Sequence, residues 1–404
     1  MQGQASGAVN GLDLAHAKGI NFELPSVVFS GIVAVRDRLL LLPNPLRLES
    51  GDPNFDTPEH IKEAAAKAIR DNNTHYAPST GIKPLRDAIV KKATKKNQIT
   101  NITSPDQVLV TNGGMHGLYC TFRTILNPGD EVLIPQPNWT STAWIIRIAG
   151  GIPVTVRLHR KHEYRWDIEE LKSKVTERTK AVLINSPQNP TGAVMSRQDL
   201  LDLLDVAAEH DLFVIGDEAY EDIIFEGEHN CIAALAGEYP KIVQDKIISC
   251  FTFSKSYAMT GWRLGYLTCT NAEFNENAKK MILYTINGVS TPTQYAGVAA
   301  LEGPQEAVGR MAAEYKLRRD LLFDAVNGTE YMHCDMKPKG AVYLYARITD
   351  KWQGSEWDLV NHLIERYSLG SVPGEEFADD EKSIRFAYAC STEMVKATVA
   401  VLKG

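Results

Sequence analysis

The sequence lacks the features that would indicate a membrane protein, a disulfide-stabilised protein or a nucleic-acid-binding protein. No apolar run approaches about 18 residues, so we predict no transmembrane helix. The six cysteines include no Cys-x-x-Cys pair, which indicates reduced thiols and no zinc or other metal site. No basic run stands out, and the net charge of −7 gives no general attraction to nucleic acid or to an anionic membrane.

The N-terminal sequence also lacks a recognisable secretory signal. Residues 1–19 contain neither a basic start nor an apolar segment of the kind that a signal peptide requires. Together with the reduced cysteines, this predicts a cytoplasmic protein that contacts neither membrane nor nucleic acid.

What the sequence does contain is typical of a large globular protein. Hydrophobic residues make up 44% of the 404 residues, which are enough for two domains. From about residue 50 to 270, short runs rich in β-branched residues alternate with amphipathic stretches, for which Thr57 and Ser196 are predicted N-caps. This alternation predicts an α/β fold with a mostly parallel central sheet and helices on both faces.

The pattern changes after residue 270, where helices and two predicted strands, "AVYLYARI" and "SIRFAYA", indicate a smaller α+β domain. We therefore predict three parts. Residues 1–48 form an N-terminal segment that completes the small domain, residues 49–300 form the large cofactor-binding domain, and residues 301–404 form the small C-terminal domain.

Glycine and aromatic residues follow two of the predicted strands. Ligands of α/β sheets bind at the carboxyl ends of strands, so these residues are candidates for a site. Gly113 and Gly114 lie between a strand and a helix, where backbone N–H groups can approach an anion, although a Gly-Gly pair more often marks a plain turn. Trp139 follows the strand "EVLIP" and can equally be a packed core residue.

Charged residues at strand ends are harder to explain by packing. Asp217 follows "FVIG", and a carboxylate there must meet a cation or a hydrogen-bond donor. Lys255 follows "CFTFS", and lysine is almost never fully buried without a partner or a chemical role. The sequence "NPTG" at residues 189–192 is a turn on any interpretation.

Taken together and in this order, these residues are similar to the class I/II aminotransferases, which are fold type I pyridoxal-phosphate-dependent enzymes of the aspartate-aminotransferase type. The resemblance extends from about residue 45 to the C-terminus. Its motifs are Gly51-Asp52-Pro53, Tyr76 with Gly81, Gly113-Gly114, Asn189-Pro190-Thr191-Gly192, Asp217 with Tyr220, Ser254-Lys255 with Arg263, and Arg385.

The resemblance implies pyridoxal 5′-phosphate as the cofactor and assigns the catalytic residues. Lys255 would form the Schiff base with the cofactor aldehyde and then act as a proton shuttle, first as base and then as acid. Asp217 would keep the pyridine nitrogen protonated, so that the ring can accept electron density. Tyr220 and Asn189 would hydrogen-bond the 3-oxygen of the ring.

The resemblance also implies the remaining contacts. Trp139 would stack on the ring, and Arg263 would hold the phosphate in a charge-assisted contact. The other groups implied at the phosphate are the N–H groups of Gly113, Gly114 and Met115 and the hydroxyls of Thr252 and Ser254. Arg385 would grip the substrate α-carboxylate in a bidentate manner, with Gly51 and Asn189 beside it.

A homodimer follows from the same resemblance. Tyr76 is similar to the family tyrosine that reaches the cofactor phosphate of the neighbouring subunit, and the loop at Thr291 would also cross the interface. An active site that needs both of these residues would be complete only in a dimer.

The sequence says less about the substrate. Some family members read a distal carboxylate with a lysine after the two glycines, where this chain has Met115, or with a partner arginine near residues 284–292, where this chain has none. This favours a neutral or apolar amino donor, with Arg123, Arg147 and His116 left as alternative cations. Apolar residues of the N-terminal segment form either part of the substrate pocket or core packing.

We therefore predict an aminotransferase of amino-acid metabolism and biosynthesis that moves an α-amino group from an L-amino acid to a 2-oxo acid. Two alternatives remain open. A pyridoxal-phosphate-dependent lyase, cyclase or oxidase would carry the same cofactor residues. A non-catalytic cofactor-binding domain of a regulator would carry them as well, but we expect an added DNA-binding module in such a protein.

Overall fold

The computed structural model describes residues 30–403. The helices are α1 (Gly31–Leu39), α2 (Glu59–Arg70), α3 (Lys83–Lys95), α4 (Gly113–Ile125), α5 (Ser141–Ile148), α6 (Ile168–Ser173), α7 (Arg197–Glu209), α8 (Ile232–Leu235), α9 (Lys241–Gln244), α10 (Ala272–Ile286), α11 (Thr291–Glu302), α12 (Glu306–Asn327), α13 (Glu356–Tyr367) and α14 (Thr392–Lys403). The strands are β1 (Leu46–Arg47), β2 (Val108–Thr111), β3 (Glu131–Gln136), β4 (Ile152–Arg157), β5 (Thr179–Asn185), β6 (Phe213–Asp217), β7 (Ile247–Thr252), β8 (Gly265–Thr268), β9 (Met332–His333), β10 (Tyr343–Ile348), β11 (Leu369–Gly370), β12 (Val372–Pro373) and β13 (Ser383–Ala387). No helix among these residues is long and apolar enough to cross a membrane.

The large sheet has seven strands in the order β2-β8-β7-β6-β5-β3-β4. All neighbours are parallel except β8, which runs antiparallel to both β2 and β7. This confirms the predicted α/β class with a mostly parallel central sheet. Because β8 is reversed, the residues before it lie at the same sheet edge as the residues that follow the parallel strands.

The sheet is covered on both faces because its strands are apolar on both sides. Successive side chains of a strand point to opposite faces. In β2, Val108 and Val110 belong to one buried cluster and Leu109 to another. Helices α3, α7 and α11 contribute to the first cluster, and α4, α5 and α10 contribute to the second. Two covered faces are typical of a parallel sheet.

The helix starts agree with the predicted caps at one of two positions. Ser196 accepts the N–H of Asp199, which bonds back to the Ser196 N–H, so α7 begins with a capping box. The prediction of a Thr57 cap for α2 is wrong. The Thr57 hydroxyl instead donates to the Ala258 carbonyl (2.7 Å) and accepts from Trp262 Nε1 (3.0 Å), because tertiary contacts compete for it.

The smaller C-terminal domain contains an antiparallel sheet in the order β12-β13-β10-β9, packed against α12 and α13, and α14 packs against α12 and β1. The described part of the N-terminal segment lies against it. Strand β1 pairs in parallel with β11, and Val35 and Leu39 of α1 are buried in the same cluster as Leu369 and Phe386. Residues 1–29 lie outside the described part of the chain, and the boundaries at residues 48 and 300 stay a prediction.

Candidate active site

A cavity of about 530 Å³ lies at the carboxyl edge of the large sheet, beside the small domain. The predicted site residues that line it are Gly51, Gly114, Met115, Trp139, Asn189, Asp217, Tyr220, Thr252, Ser254, Lys255, Arg263 and Arg385. Most of them follow β2, β3, β5, β6 and β7, and Arg263 precedes the reversed strand β8. The strand ends of the large sheet and β13 of the small domain together bring into one cavity residues up to 334 positions apart in the sequence, from Gly51 to Arg385.

Lys255 follows β7 and is half-buried in this cavity. Its Nζ donates to the Gly51 carbonyl oxygen at 2.9 Å and lies 6.0 Å from the centre of the Tyr220 ring. A single carbonyl acceptor leaves two of the three ammonium protons without a protein partner among the described residues. The amine is therefore open to a ligand in the cavity.

Asp217 ends β6, with its side chain facing the cavity. Burial raises the pKa of Asp217 to about 7, and the neighbouring charge of Glu218 adds to this, whereas the Ala219 N–H and Lys255 oppose it. A carboxyl group in this environment is stabilised by a proton or by a cationic N–H donor.

Glu218, which follows β6, does not line the cavity. It accepts from His229 Nε2 at 2.7 Å and from the Cys231 thiol at 3.3 Å. Burial opposes the charged form of His229, but Glu218 and Glu221 outweigh burial and raise the pKa of His229. The two acids of "GDEAY" therefore serve different partners, and only Asp217 is open to the cavity.

Arg385 lies on β13 and is 1% exposed. Its Nη1 donates to Asn189 Oδ1 at 3.0 Å, its Nη2 donates to the Glu49 carbonyl at 2.6 Å, and its Nε has no partner within residues 30–403. Burial lowers the pKa of Arg385 below its usual value. A buried guanidinium with an unused donor that faces a cavity fits a carboxylate ligand.

The N-terminus of α4 forms the other end of the cavity. Gly113 has a φ of +79°, and a Cβ there would lie 2.6 Å from Arg263 Nη2, so glycine is needed for this approach. The Arg263 guanidinium and the Thr252 and Ser254 hydroxyls, which are 2.8 Å apart, face the same space. A helix N-terminus with a cation and two hydroxyls fits a phosphate group.

Tyr76 and Thr291 do not line this cavity. They line a second cavity of about 520 Å³, in which the Thr291 hydroxyl donates to the His75 carbonyl at 2.8 Å. The Tyr76 side chain is 89% exposed. Within a single chain, these two predicted residues are therefore separate from Lys255.

Several residues of the cavity wall were not among the predicted site residues, and two of them contact residues that were. The Tyr343 hydroxyl lies 2.6 Å from the Tyr220 hydroxyl, and the Glu49 carbonyl accepts from Arg385. Nothing in the alternation of "AVYLYARI" separates Tyr343 from Tyr345, and a backbone carbonyl has no sequence signal. Ile32 of α1 also lines the cavity, so the N-terminal segment contributes to the pocket as well as to the core.

Comparison with known proteins identifies the family. The model of the family "Aminotransferase class I and II" matches residues 43–402. The chain belongs to the class I and II aminotransferases. The predicted family, fold and amino-group transfer are thereby confirmed, and the lyase, cyclase or oxidase alternative is not favoured.

Individual relatives of this aminotransferase agree. An aspartate aminotransferase of Bacillus sp. (strain YM-2) is 33% identical over 357 residues, which cover 87% of this chain and 89% of that protein. The aromatic-amino-acid aminotransferase 2 of Thermococcus litoralis is 37% identical, with 87% and 89% covered. The structure of the aspartate aminotransferase from Thermus thermophilus with maleate superposes with a TM-score of 0.88 at 32% identity and covers 96% of this chain and 99% of that chain.

Proposed function

We propose that this aminotransferase uses pyridoxal 5′-phosphate, held in the 530 Å³ cavity, to transfer the α-amino group of a neutral or apolar L-amino acid to a 2-oxo acid. The observation that carries this proposal is a set of three polar groups around one cavity, each of which can still accept a contact from a ligand. These are the Lys255 amine, the Asp217 carboxyl and the Arg385 Nε. Each group matches one part of the cofactor and substrate.

The cavity fits the cofactor at both ends. Asp217 offers a carboxyl whose raised pKa is relieved by a protonated ring nitrogen. We assign the phosphate to the N–H groups of Gly113, Gly114 and Met115, where Arg263 supplies the positive charge. Thr252 and Ser254 supply hydroxyls there.

The residues between the two ends orient the ring. We assign Trp139 to the ring face, and Tyr220 and Asn189 to the 3-oxygen of the ring. Asn189 is 6% exposed and already accepts from Arg385, so its amide is fixed in direction and its NH₂ group is free to donate. Asn189 thereby joins the cofactor end of the cavity to the substrate end.

The bound cofactor supplies an electron sink for the electron pair that remains when the substrate loses its α-proton. We assign that proton to Lys255 Nζ, which holds and returns it. The Gly51 carbonyl lies 2.9 Å from Nζ and keeps the amine at the cavity edge without neutralising it with a carboxylate. Movement of Nζ away from the Gly51 carbonyl would cost only this one hydrogen bond.

Arg385 is assigned to the substrate α-carboxylate, with Gly51 and Asn189 beside it. Its Nε and the ends of its guanidinium allow a bidentate contact. A carboxylate there would also compensate the buried positive charge, which is expensive to leave without an anion. This places the substrate Cα between Arg385 and Lys255.

Apolar side chains form part of the cavity wall, which supports the proposed substrate class. Met115, Leu118 and Ile32 line it, and the lining cations among the described residues are Lys255, Arg263 and Arg385, each of which already has a role. The alternative cations Arg123, Arg147 and His116 do not line the cavity. A distal carboxylate of the donor would therefore lack a partner within this chain.

We also propose a cytoplasmic homodimer that acts in amino-acid biosynthesis and in which Tyr76 and the Thr291 loop reach the partner's cavity. The exposure of Tyr76 (89%) and of Tyr284 (84%) supports an interface, since aromatic residues are enriched at protein–protein interfaces. The free cysteines support a reducing compartment. No DNA or lipid surface is part of this proposal.

The proposed donor class is tested with a panel of L-amino acids and one 2-oxo acid at saturation. The enzyme loaded with pyridoxal 5′-phosphate (the loaded enzyme) is given leucine, methionine, phenylalanine, aspartate or glutamate, and kcat/KM is measured for each donor. Apolar donors are expected to exceed aspartate by at least about tenfold, because an unpaired buried carboxylate costs more than about 1.4 kcal/mol. A preference for aspartate would refute the donor class but not the transfer reaction. Met115→Lys is the matched variant and should raise the value for aspartate.

A further inference from the structure

Tyr343 lies directly behind Tyr220 in the cavity wall. Their hydroxyl oxygens are 2.6 Å apart, and their rings meet edge to face at 5.7 Å. Tyr343 is 3% exposed and Tyr220 is 5% exposed, so water does not compete for this hydrogen bond. The Tyr343 hydroxyl has no other hydrogen-bond partner among residues 30–403.

The position of Tyr343 is set by the small domain. Strand β10 places Tyr343 opposite Ala387 of β13, two pairs away from the Tyr345–Arg385 pair. The Arg385 guanidinium lies 4.5 Å from the centre of the Tyr343 ring, which is a cation–π contact. Tyr343 therefore contacts the residue assigned to the substrate carboxylate as well as the residue assigned to the 3-oxygen.

Gly51 provides the space for this hydroxyl. A Cβ on Gly51 would clash with the Tyr343 hydroxyl oxygen, because it would come far closer than non-bonded carbon and oxygen atoms approach. The carbonyl of the same glycine accepts from Lys255. The absence of a side chain at Gly51 thus allows Tyr343 and Lys255 to share one wall of the cavity.

The direction of the hydrogen bond follows from the number of protons. A phenol has one proton to donate and lone pairs with which to accept. If Tyr220 donates to the 3-oxygen of the ring, its oxygen can only accept from Tyr343, so Tyr343 must be the donor. A phenol that accepts a hydrogen bond is a stronger donor in turn, since hydrogen bonds in a chain polarise one another.

We infer that Tyr343 is a positioning residue, which donates to Tyr220 and thereby fixes and strengthens the donation of Tyr220 to the cofactor 3-oxygen. This inference rests on the proposed function. A donor to the 3-oxygen stabilises negative charge on that oxygen and competes for the proton that the oxygen shares with Lys255 Nζ. The loaded enzyme with Tyr343 should therefore lose this proton at a lower pH than the enzyme without it.

The test is a pH titration of the visible absorption of the loaded enzyme, with four proteins in a double-mutant cycle. Tyr220→Phe should raise the midpoint of the spectral change, by about one pH unit, and Tyr343→Phe should raise it by roughly half a unit, because a neutral hydrogen bond contributes about 1 kcal/mol. In the Tyr220→Phe background, Tyr343→Phe should cause no further shift. Tyr345→Phe is the control, since the Tyr345 hydroxyl lies on the same strand but donates to Asp379 (2.6 Å).

Two results would overturn the inference. One is an unchanged midpoint in Tyr343→Phe, and the other is an equal shift with and without the Tyr220 hydroxyl. Steady-state kinetics give a second measurement, in which kcat should fall several-fold while KM for the donor changes less than about twofold. A rise in KM with unchanged kcat would assign Tyr343 to Arg385 instead. A wild-type protein with no Lys255-dependent absorption band would refute the proposed function itself.

Discussion

The Asp217 carboxyl faces the cavity, and its burial, with a smaller contribution from the charge of Glu218, raises its pKa to about 7. In the unfolded chain the ordinary value is 3.8, so the folded protein binds this proton more tightly. The folded state is therefore destabilised progressively as the pH rises from about 4 to 7, and the full penalty is present above 7. A cationic ring nitrogen would remove the penalty, which couples cofactor binding to stability.

Asp217→Asn should therefore stabilise the cofactor-free protein above pH 7 and have little effect on stability near pH 4. The expected gain is on the order of 2 kcal/mol at pH 8, since the cavity is partly open to water. Thermal unfolding of the cofactor-free protein at both pH values measures it. Asp106→Asn is the control, because the Asp106 side chain is 89% exposed. An equal change at pH 4 and pH 8 would show that the carboxyl is not the cause.

The start of helix α7 is set by a local sequence signal, and the residues that form this signal lie outside the proposed active site. Its capping box joins Ser196 to Asp199, and Leu200, Leu203 and Leu204 on its inner face are buried against the sheet. The same kind of signal gave a wrong prediction for α2. There Pro58 takes the N-cap position, and the Thr57 hydroxyl donates to the Ala258 carbonyl instead. A cap is predictable only where no tertiary partner competes for the hydroxyl.

Ser196→Ala should lower the free energy of unfolding by about 1 kcal/mol, because the first turn of α7 loses a side-chain acceptor. Turnover should stay within about twofold of wild type, since Ser196 does not line the cavity. Chemical denaturation and steady-state kinetics measure the two effects. Gln198→Ala in the same turn is the matched control and should cost almost nothing. A loss of activity without a loss of stability would contradict this interpretation.

The whole molecule places the proposed site at the meeting of two sheets. The seven-stranded sheet and the N-terminus of α4 contribute Asp217, Lys255 and the proposed phosphate site. Strands β13 and β10 of the small domain contribute Arg385 and Tyr343. Tyr76 lies apart from all of these within the chain. The proposed dimer would bring Tyr76 of one protomer to the cavity of its partner.

A mixing experiment tests this arrangement. Lys255→Ala and Tyr76→Ala should each reduce turnover strongly, Lys255→Ala by more than about 10³-fold. In a mixed dimer of the two variants, one site has both Lys255 and Tyr76 intact if Tyr76 acts across the interface. Refolding the two variants together should therefore restore up to roughly a quarter of wild-type activity per total site under random pairing. No restoration, or a monomer in sedimentation, would refute the proposed arrangement.

Local signals account for the parts of the protein that were predictable from its sequence. The alternation of strands and helices predicts the central sheet, and residues directly after strands, such as Gly114, Asp217 and Lys255, are brought together because parallel strands end at one edge. The order of these motifs was also enough to predict the family. Each of these inferences depends on short motifs and on their order along the chain.

The remaining features depend on contacts between distant parts of the chain. The Tyr220–Tyr343 hydrogen bond spans 123 positions and the Arg385–Glu49 contact spans 336. Side-chain type alone gives no signal for them, since Tyr343 and Tyr345 occupy equivalent places in one strand pattern. The unpaired Arg385 Nε and the raised pKa of Asp217 likewise arise only when packing of the two sheets removes water from both groups.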